Sequence, residues 1–198
     1  MNAFAPVRTV PPSAELVPLA DAKAYPRVES DDDDALVAGI VAAAIDHFDG
    51  YAGILGQALL EQTWAQSFDC FPGSRCLRLP LGPLFGADLV TIAYFDAAGA
   101  AQTFTAFQAA TDAIGPLLIL NDAASWPNTA ARPDAVTATW TCGFGASAAA
   151  VPASIVHAVK LLVTHWYENR GAVAIGTISG DLAWSLDQLI APHRKVGL

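Results

Sequence analysis

The rhythm of apolar and polar positions changes along this chain. In "ESDDDDALVAGIVAAAIDHFDGYAG" apolar residues recur at Leu36, Ile40, Ala44, Phe48 and then Tyr51 or Ala52. That is the helical period, and it predicts a long helix with those positions buried. Ser30 or Asp31 is placed to cap it, with the aspartates on its positive N-terminal end. Just before it, "PLADAKAYPRV" predicts a short helix from about Leu19 to Ala24, stopped by Pro26. From residue 60 the period shortens. "EQTWAQSFDCFPG", "CLRLPLGPL", "DLVTIAYFDAAGAAQTF", "LLILND" and "AVTATWTCGFG" are rich in β-branched and aromatic residues and broken by Gly, Pro and Asp. "YFDAAGAAQTF" predicts a hairpin turning at Ala97–Gly99. Val136, Ala138 and Trp140 alternate with Thr137, Thr139 and Thr141, as in a strand buried on one face. The helical period returns at Pro152, with Ile155, Val159, Leu162, Val163 and Trp166 as its stripe. This helix should run to about Asn169 and close at Gly171. A loop containing Gly171, Gly176 and Gly180 then leads to a short final helix, "SLDQLIAPHR".

These elements predict an α+β fold. Its helical core comprises two long helices plus short terminal helices, with an antiparallel β module inserted between them. Residues 1–18 hold Pro6, Pro11, Pro12 and Pro18 and read as an extended arm, ordered on docking. Residues 19–59 and 146–198 form the helical domain, and 60–145 the β subdomain.

Composition narrows the function classes. A chain of 198 residues makes one domain, or one domain with a subdomain. No apolar run reaches the length that spans a bilayer, and the N-terminus lacks a signal-peptide layout, so a soluble cytoplasmic protein is expected. The net charge of -9, with Lys and Arg totalling 10, argues against affinity for nucleic acid. An acidic surface serves solubility; it would equally suit a conduit through which DNA slides without sticking. Cys70, Cys76 and Cys142 show no zinc-ligand spacing and are expected as buried free thiols.

The stretch richest in chemistry is "HAVKLLVTHWYENRG". His157 and His165 lie about 12 Å apart along a helix, too far to share one zinc ion. A surface hydrogen bond between His165 and Glu168 is the plainer expectation. "CGFGASA" nominally matches a dinucleotide-binding loop, but Pro152 starts the helix too late to meet a pyrophosphate. Four consecutive aspartates lack the alternating ligands of a calcium loop and read as a helix cap. No cofactor, metal or catalytic set is expected. A small hydrolase using Glu168 and His165 stands as the enzymatic alternative. Trp184, Leu186, Leu189 and Ile190 crowd a short C-terminal segment, which either docks on another chain or packs on its own domain.

The ordered set of motifs resembles the head–tail connector (adaptor, head-completion) family of long-tailed phages, whose relatives occur in gene transfer agents. The likeness rests on Ala22–Lys23, Tyr25 to Val28, Asp31–Asp34 and Tyr51–Gly53. It continues through "EQTW", "FPG" and "LPLGPL", then "VPA", "HWYENR" and "LIAPHR", and so spans about residues 19 to 194. Pro26 and His193 stand where the family usually has leucine and tyrosine. The resemblance implies a homo-oligomeric ring, commonly of twelve subunits, between the portal and a stopper or tail protein. Such a ring extends the channel for double-stranded DNA without binding it specifically. It implies a structural role in an assembled particle made in the bacterial cytoplasm, with no membrane partner. A tail-completion protein is the neighbouring alternative. His165, Trp166, Tyr167, Glu168, Asn169 and Arg170 carry the family motif. Trp184, Leu186, Leu189, Ile190, His193 and Arg194 are the expected portal or ring contact.

Overall fold

The proline-rich N-terminal residues, expected as an undocked arm, contain an edge strand. In the computed structural model, which describes residues 1–169 and 180–195, β1 (Val7–Val10) pairs antiparallel with β2 (Gln62–Phe68). The chain is α+β and divides into two compact units, each made from two separated stretches. Residues 1–13 and 61–144 form one unit; residues 14–60 and 145–198 form the other.

The first unit is built from antiparallel strands. After β1 and β2 come β3 (Cys76–Arg78), β4 (Val90–Phe95), β5 (Ala101–Phe104), β6 (Phe107–Thr111), β7 (Pro116–Leu120) and β8 (Val136–Cys142). One sheet has the order β1-β2-β8-β4-β5, the other β3-β7-β6. The expected alternation in β8 is present: Val136, Ala138, Trp140 and Cys142 are buried and the threonines between them are half-buried. β2 follows the same rule and sets Trp64 opposite Trp140. Trp140 is fully buried, and its indole N–H donates to the Leu81 carbonyl at 3.1 Å. Phe71 stacks on Trp126 with centroids 4.8 Å apart, and both rings meet Phe104. The β4–β5 hairpin turns where the pattern placed it. Gly99 adopts φ +81°, and the Asp96 carboxylate accepts the amides of Ala98 and Ala100.

Four carboxylates of this unit are held below the usual 3.8. The Arg78 guanidinium, then the Gly115 and Ile114 amides, depress Asp112. The amides of Ala100 and Asn2 act first on Asp96 and Asp69, and Arg132 acts on Asp134. A depressed carboxylate pKa means that the unfolded chain binds protons the folded one does not. The resulting stability is present above 3.8 and is lost as pH falls through the folded values. Thermal melting should therefore drop as the medium is acidified below about pH 4. Asp112→Asn should shrink that drop while lowering the neutral-pH midpoint. An unchanged acid profile in the variant would remove Asp112 from the account.

The second unit is helical: α1 (Leu19–Ala24), α2 (Asp34–Phe48), α3 (Ala153–Glu168) and α4 (Gly180–Ile190). The expected core of two long helices is not what is found. Helices of 6, 15, 16 and 11 residues share the packing, with α3 against both α2 and α4, and α1 against α2 and α3. α2 buries Val37, Val41, Ala44 and Phe48, whereas Leu36 and Tyr51 are exposed. In an alanine-rich helix both stripes have helical spacing, so periodicity alone could not choose between them. Nor does Ser30 or Asp31 cap the helix. Asp33 holds the N-cap position without a side-chain cap bond, and Ser30 accepts the Asp32 amide. The aspartates serve tertiary contacts instead. Lys23 bridges Asp31 at 2.7 Å and Asp34 at 2.6 Å, and the Tyr167 hydroxyl donates to Asp33 at 2.7 Å.

α3 starts after Pro152 and buries Ile155, Val159, Leu162 and Val163, with Trp166 half-buried beside them. Gly171 and Gly176, read as a helix stop and a loop, lie outside the described residues. α4 begins at Gly180, earlier than the pattern indicated, and ends in a 3-10 turn over Ala191–His193. The cysteines also depart from expectation. Cys142 is buried, Cys70 is half-buried and Cys76 is exposed, because β3 turns Cys76 and Arg78 outward around Leu77.

Candidate functional site

The residues singled out in sequence fall in the helical unit, at the end of α3 and along α4. A tight loop after α2 prepares the place where the C-terminal segment lies. Asp49 is buried in extended conformation, and its carboxylate accepts the Leu59 amide at 2.7 Å. Gly50 adopts φ +78° and donates to the Gln57 carbonyl; Ile54 donates back to His47. The loop thus presents Leu55 and Gln57. The Leu55 carbonyl accepts the Lys195 amide at 2.9 Å, and the Gln57 side-chain amide donates to the His193 carbonyl. His193 Nε2 pairs with the Ser154 hydroxyl at 2.9 Å, tying the same segment to the start of α3.

This clamp sorts the six expected contact residues. Leu186 and Ile190 are buried in their own unit. They lie four apart on the inward face of α4, whereas a crowded apolar segment read without its helix phase offers every residue alike. Leu189 and His193 are half-buried. Arg194 is exposed and lies 3.6 Å from Asp187. Trp184 stands apart, with 67% of its surface exposed. Its indole is the largest apolar group that the described part of this segment turns to solvent.

The family-motif residues divide between packing and surface. Trp166 meets His47 edge to face with centroids 6.4 Å apart, and Tyr167 is tied to Asp33. His165 does not pair with Glu168 as expected; its Nδ1 meets the Asn169 amide at 3.2 Å, and Glu168 is exposed. Asn169 is the C-cap of α3, and its side-chain amide also donates to the His165 carbonyl. Arg170 lies outside the described residues.

His157, the other histidine of the stretch, pairs through Nδ1 with the Tyr25 hydroxyl at 2.9 Å. Lys160 sits over the same tyrosine ring and bonds Asp21 at 3.0 Å. Together they line a shallow cleft of about 310 Å³ floored by alanines and valines of the α3 entry. Tyr25, Gln57, Ser154 and Lys195 were not legible as partners, since each acts with a residue distant in sequence. Among the described residues no group of three or more His, Cys, Asp or Glu is placed to hold a metal ion. No described helix is long and apolar enough to cross a membrane.

No protein-family model matches the chain, and no curated protein does. Solved structures do. A chain in "Neck of empty GTA particle computed with C6 symmetry" superposes with TM-score 0.78 at 21% identity, over 98% of this chain and 97% of that one. A chain in "Virion of native gene transfer agent (GTA) particle" gives 0.76 at 22% identity, over 98% and 97%. A third, in "Neck of native GTA particle computed with C12 symmetry", gives 0.67 at 23% identity, over 96% and 97%. The chain therefore shares its fold, over nearly its whole length, with chains of gene transfer agent particles.

Proposed function

We propose that this chain is a structural subunit of the neck of a phage-like particle, a head–tail adaptor. Copies of it form a ring between the portal and the next head-completion or tail protein, and the ring extends the DNA channel. The observation that carries this reading is the fold likeness to neck chains over 96 to 98% of the chain. The ordered motifs from Ala22 to Arg194 point the same way, although likeness in sequence is low. A ring of twelve is consistent with necks computed with C6 and C12 symmetry. The net charge of -9 suits a conduit whose wall repels DNA phosphate. The protein would act within the assembled particle, after synthesis in the bacterial cytoplasm.

Electron microscopy of particles from a producer lacking this gene tests the reading. DNA-filled heads accumulating beside detached tails are expected; joined particles that still deliver DNA would overturn it. Co-purification with portal or with tail tube separates an adaptor from a tail-completion protein.

Within this reading Trp184 is the leading portal contact. Trp184→Ala should leave the melting temperature near that of the parent, because the indole is exposed. It should weaken portal binding by roughly thirtyfold, the effect of losing about 2 kcal/mol at an interface tryptophan. Unaltered portal binding by the variant would move the contact away from α4.

A further inference from the structure

The residues ahead of β1 are fastened to β2 through a buried side chain. The Phe4 amide donates to the Ser67 carbonyl at 2.9 Å, and the Phe4 carbonyl accepts from the Gln66 side-chain amide at 2.7 Å. Gln66 lies on the inner face of β2, two residues from Trp64. Both are more than nine-tenths buried, at 8% and 7% exposure. Each keeps one polar atom without a partner among the described residues: Gln66 its Oε1, Trp64 its indole N–H. Turning the Gln66 amide over does not help. Its oxygen would then face the Phe4 carbonyl, acceptor against acceptor.

A buried donor and a buried acceptor each destabilise a fold when left unmatched. These two are complementary, and they are neighbours on one face, because alternate residues of a strand point the same way. The pair selects its occupant. A cation would be offered one oxygen and repelled by the indole N–H. An anion would be offered the indole alone and repelled by Oε1. An apolar group would satisfy neither. A water molecule accepts from the indole and donates to the amide oxygen at once, which meets the two polar partners a buried water needs. Space beside Gln66 comes from β8, where its register partner is Ala138, the smallest inward side chain of that strand.

We infer that Trp64 and Gln66 form a binding site for one buried water molecule, and that this water completes the anchor of the N-terminal segment. The water holds the Gln66 amide by its oxygen, while the nitrogen of the same amide holds Phe4. A chain of hydrogen bonds thus runs from the Trp64 indole through water and Gln66 to the Phe4 carbonyl. It couples the start of the chain to the interior of the sheet. This inference stands independently of the neck assignment, which particle microscopy tests separately.

Water-selective NOE spectroscopy of the isotope-labelled full chain is the experiment. The Trp64 indole N–H should show a cross-peak to a water that tumbles with the protein, and loss of that resonance in Trp64→Phe assigns it. Gln66→Met keeps the side-chain length and removes the amide. It should abolish the water cross-peak at Trp64 and speed amide exchange at Phe4 by about tenfold, the effect of one lost hydrogen bond. The Phe4 amide is itself bonded to Ser67, so its exchange reads the anchoring of the segment rather than the loss of its own partner. Gln66→Leu serves if that variant folds poorly, and the parent spectrum needs no variant at all. A parent whose Trp64 indole shows no water cross-peak, whether bonded directly to Gln66 or to nothing, would overturn the inference. So would a folded Gln66→Met or Gln66→Leu that keeps either the cross-peak or parental exchange at Phe4.

Discussion

Trp140→Ala should destabilise the β unit by about 3–5 kcal/mol, as truncation of a buried tryptophan does. The indole is fully buried at the middle of β8, the strand flanked by β2 and β4. It faces Trp64 across one pair of strands and Val90 across the other. Alanine would leave a cavity that these rigid neighbours cannot close, and would strand the Leu81 carbonyl that the indole N–H now satisfies. Trp140→Phe separates the two contributions. It keeps most of the packing and loses the hydrogen bond, so its cost should be a minor part of the alanine effect. Urea unfolding followed by circular dichroism measures both. An alanine variant within about 1 kcal/mol of the parent, the typical effect of an ordinary point substitution, would show that this strand is not central to stability.

Gly53→Ala should act on the helical unit with comparable force. A Cβ at Gly53 would lie 2.5 Å from the Phe48 carbonyl carbon and oxygen and would also meet the Asp49 carbonyl. Those are backbone atoms at the end of α2 and cannot swing aside like a side-chain tip. The loop must open, at a cost of about 3 kcal/mol, the upper part of the range for overpacking. Its opening would displace Leu55 and Gln57, which hold Lys195 and the His193 carbonyl. The variant should therefore lose both melting temperature and amide-exchange protection at Lys195. Full protection at Lys195 in a destabilised variant would show that the loop and the C-terminal segment are independent.

Local signals were the legible ones. The bounds of α1, the turn at Gly99, the entry to α3 at Pro152 and the alternation of β8 each depend on a few adjacent residues, and each is present. β1 was missed because the prolines that flank it read as an arm, and its strand character comes only from a distant β2. The α2 stripe was half legible: Ala44 and Phe48 are buried as expected, but Val37 and Val41 are buried in place of Leu36 and Ile40, because alanine neighbours fit either face. The candidate site suffered the same limit. Trp184, Leu186 and Ile190 look equivalent as letters, and only the packing of α4 leaves the first in water and buries the others. The clamp from Gln57 and Ser154 to His193 joins polar residues with no spacing to betray it.

The division of each unit between two stretches of chain sets the order in which a ribosome can deliver a foldable whole. β1 emerges first and must wait for β2 before it has anything to pair with. α1 and α2 emerge next and pack on each other, yet α3, the main partner of α2, is synthesised only after the entire β unit. The β unit is thus complete while the apolar stripe of α2 still lacks α3, and residues 145–198, made after it, complete the helical unit. Because domains fold as units during synthesis, the nascent chain passes through a stage with one finished body and one exposed helix. Val37, Val41 and Phe48 are the surface on which a chaperone would find it at that stage.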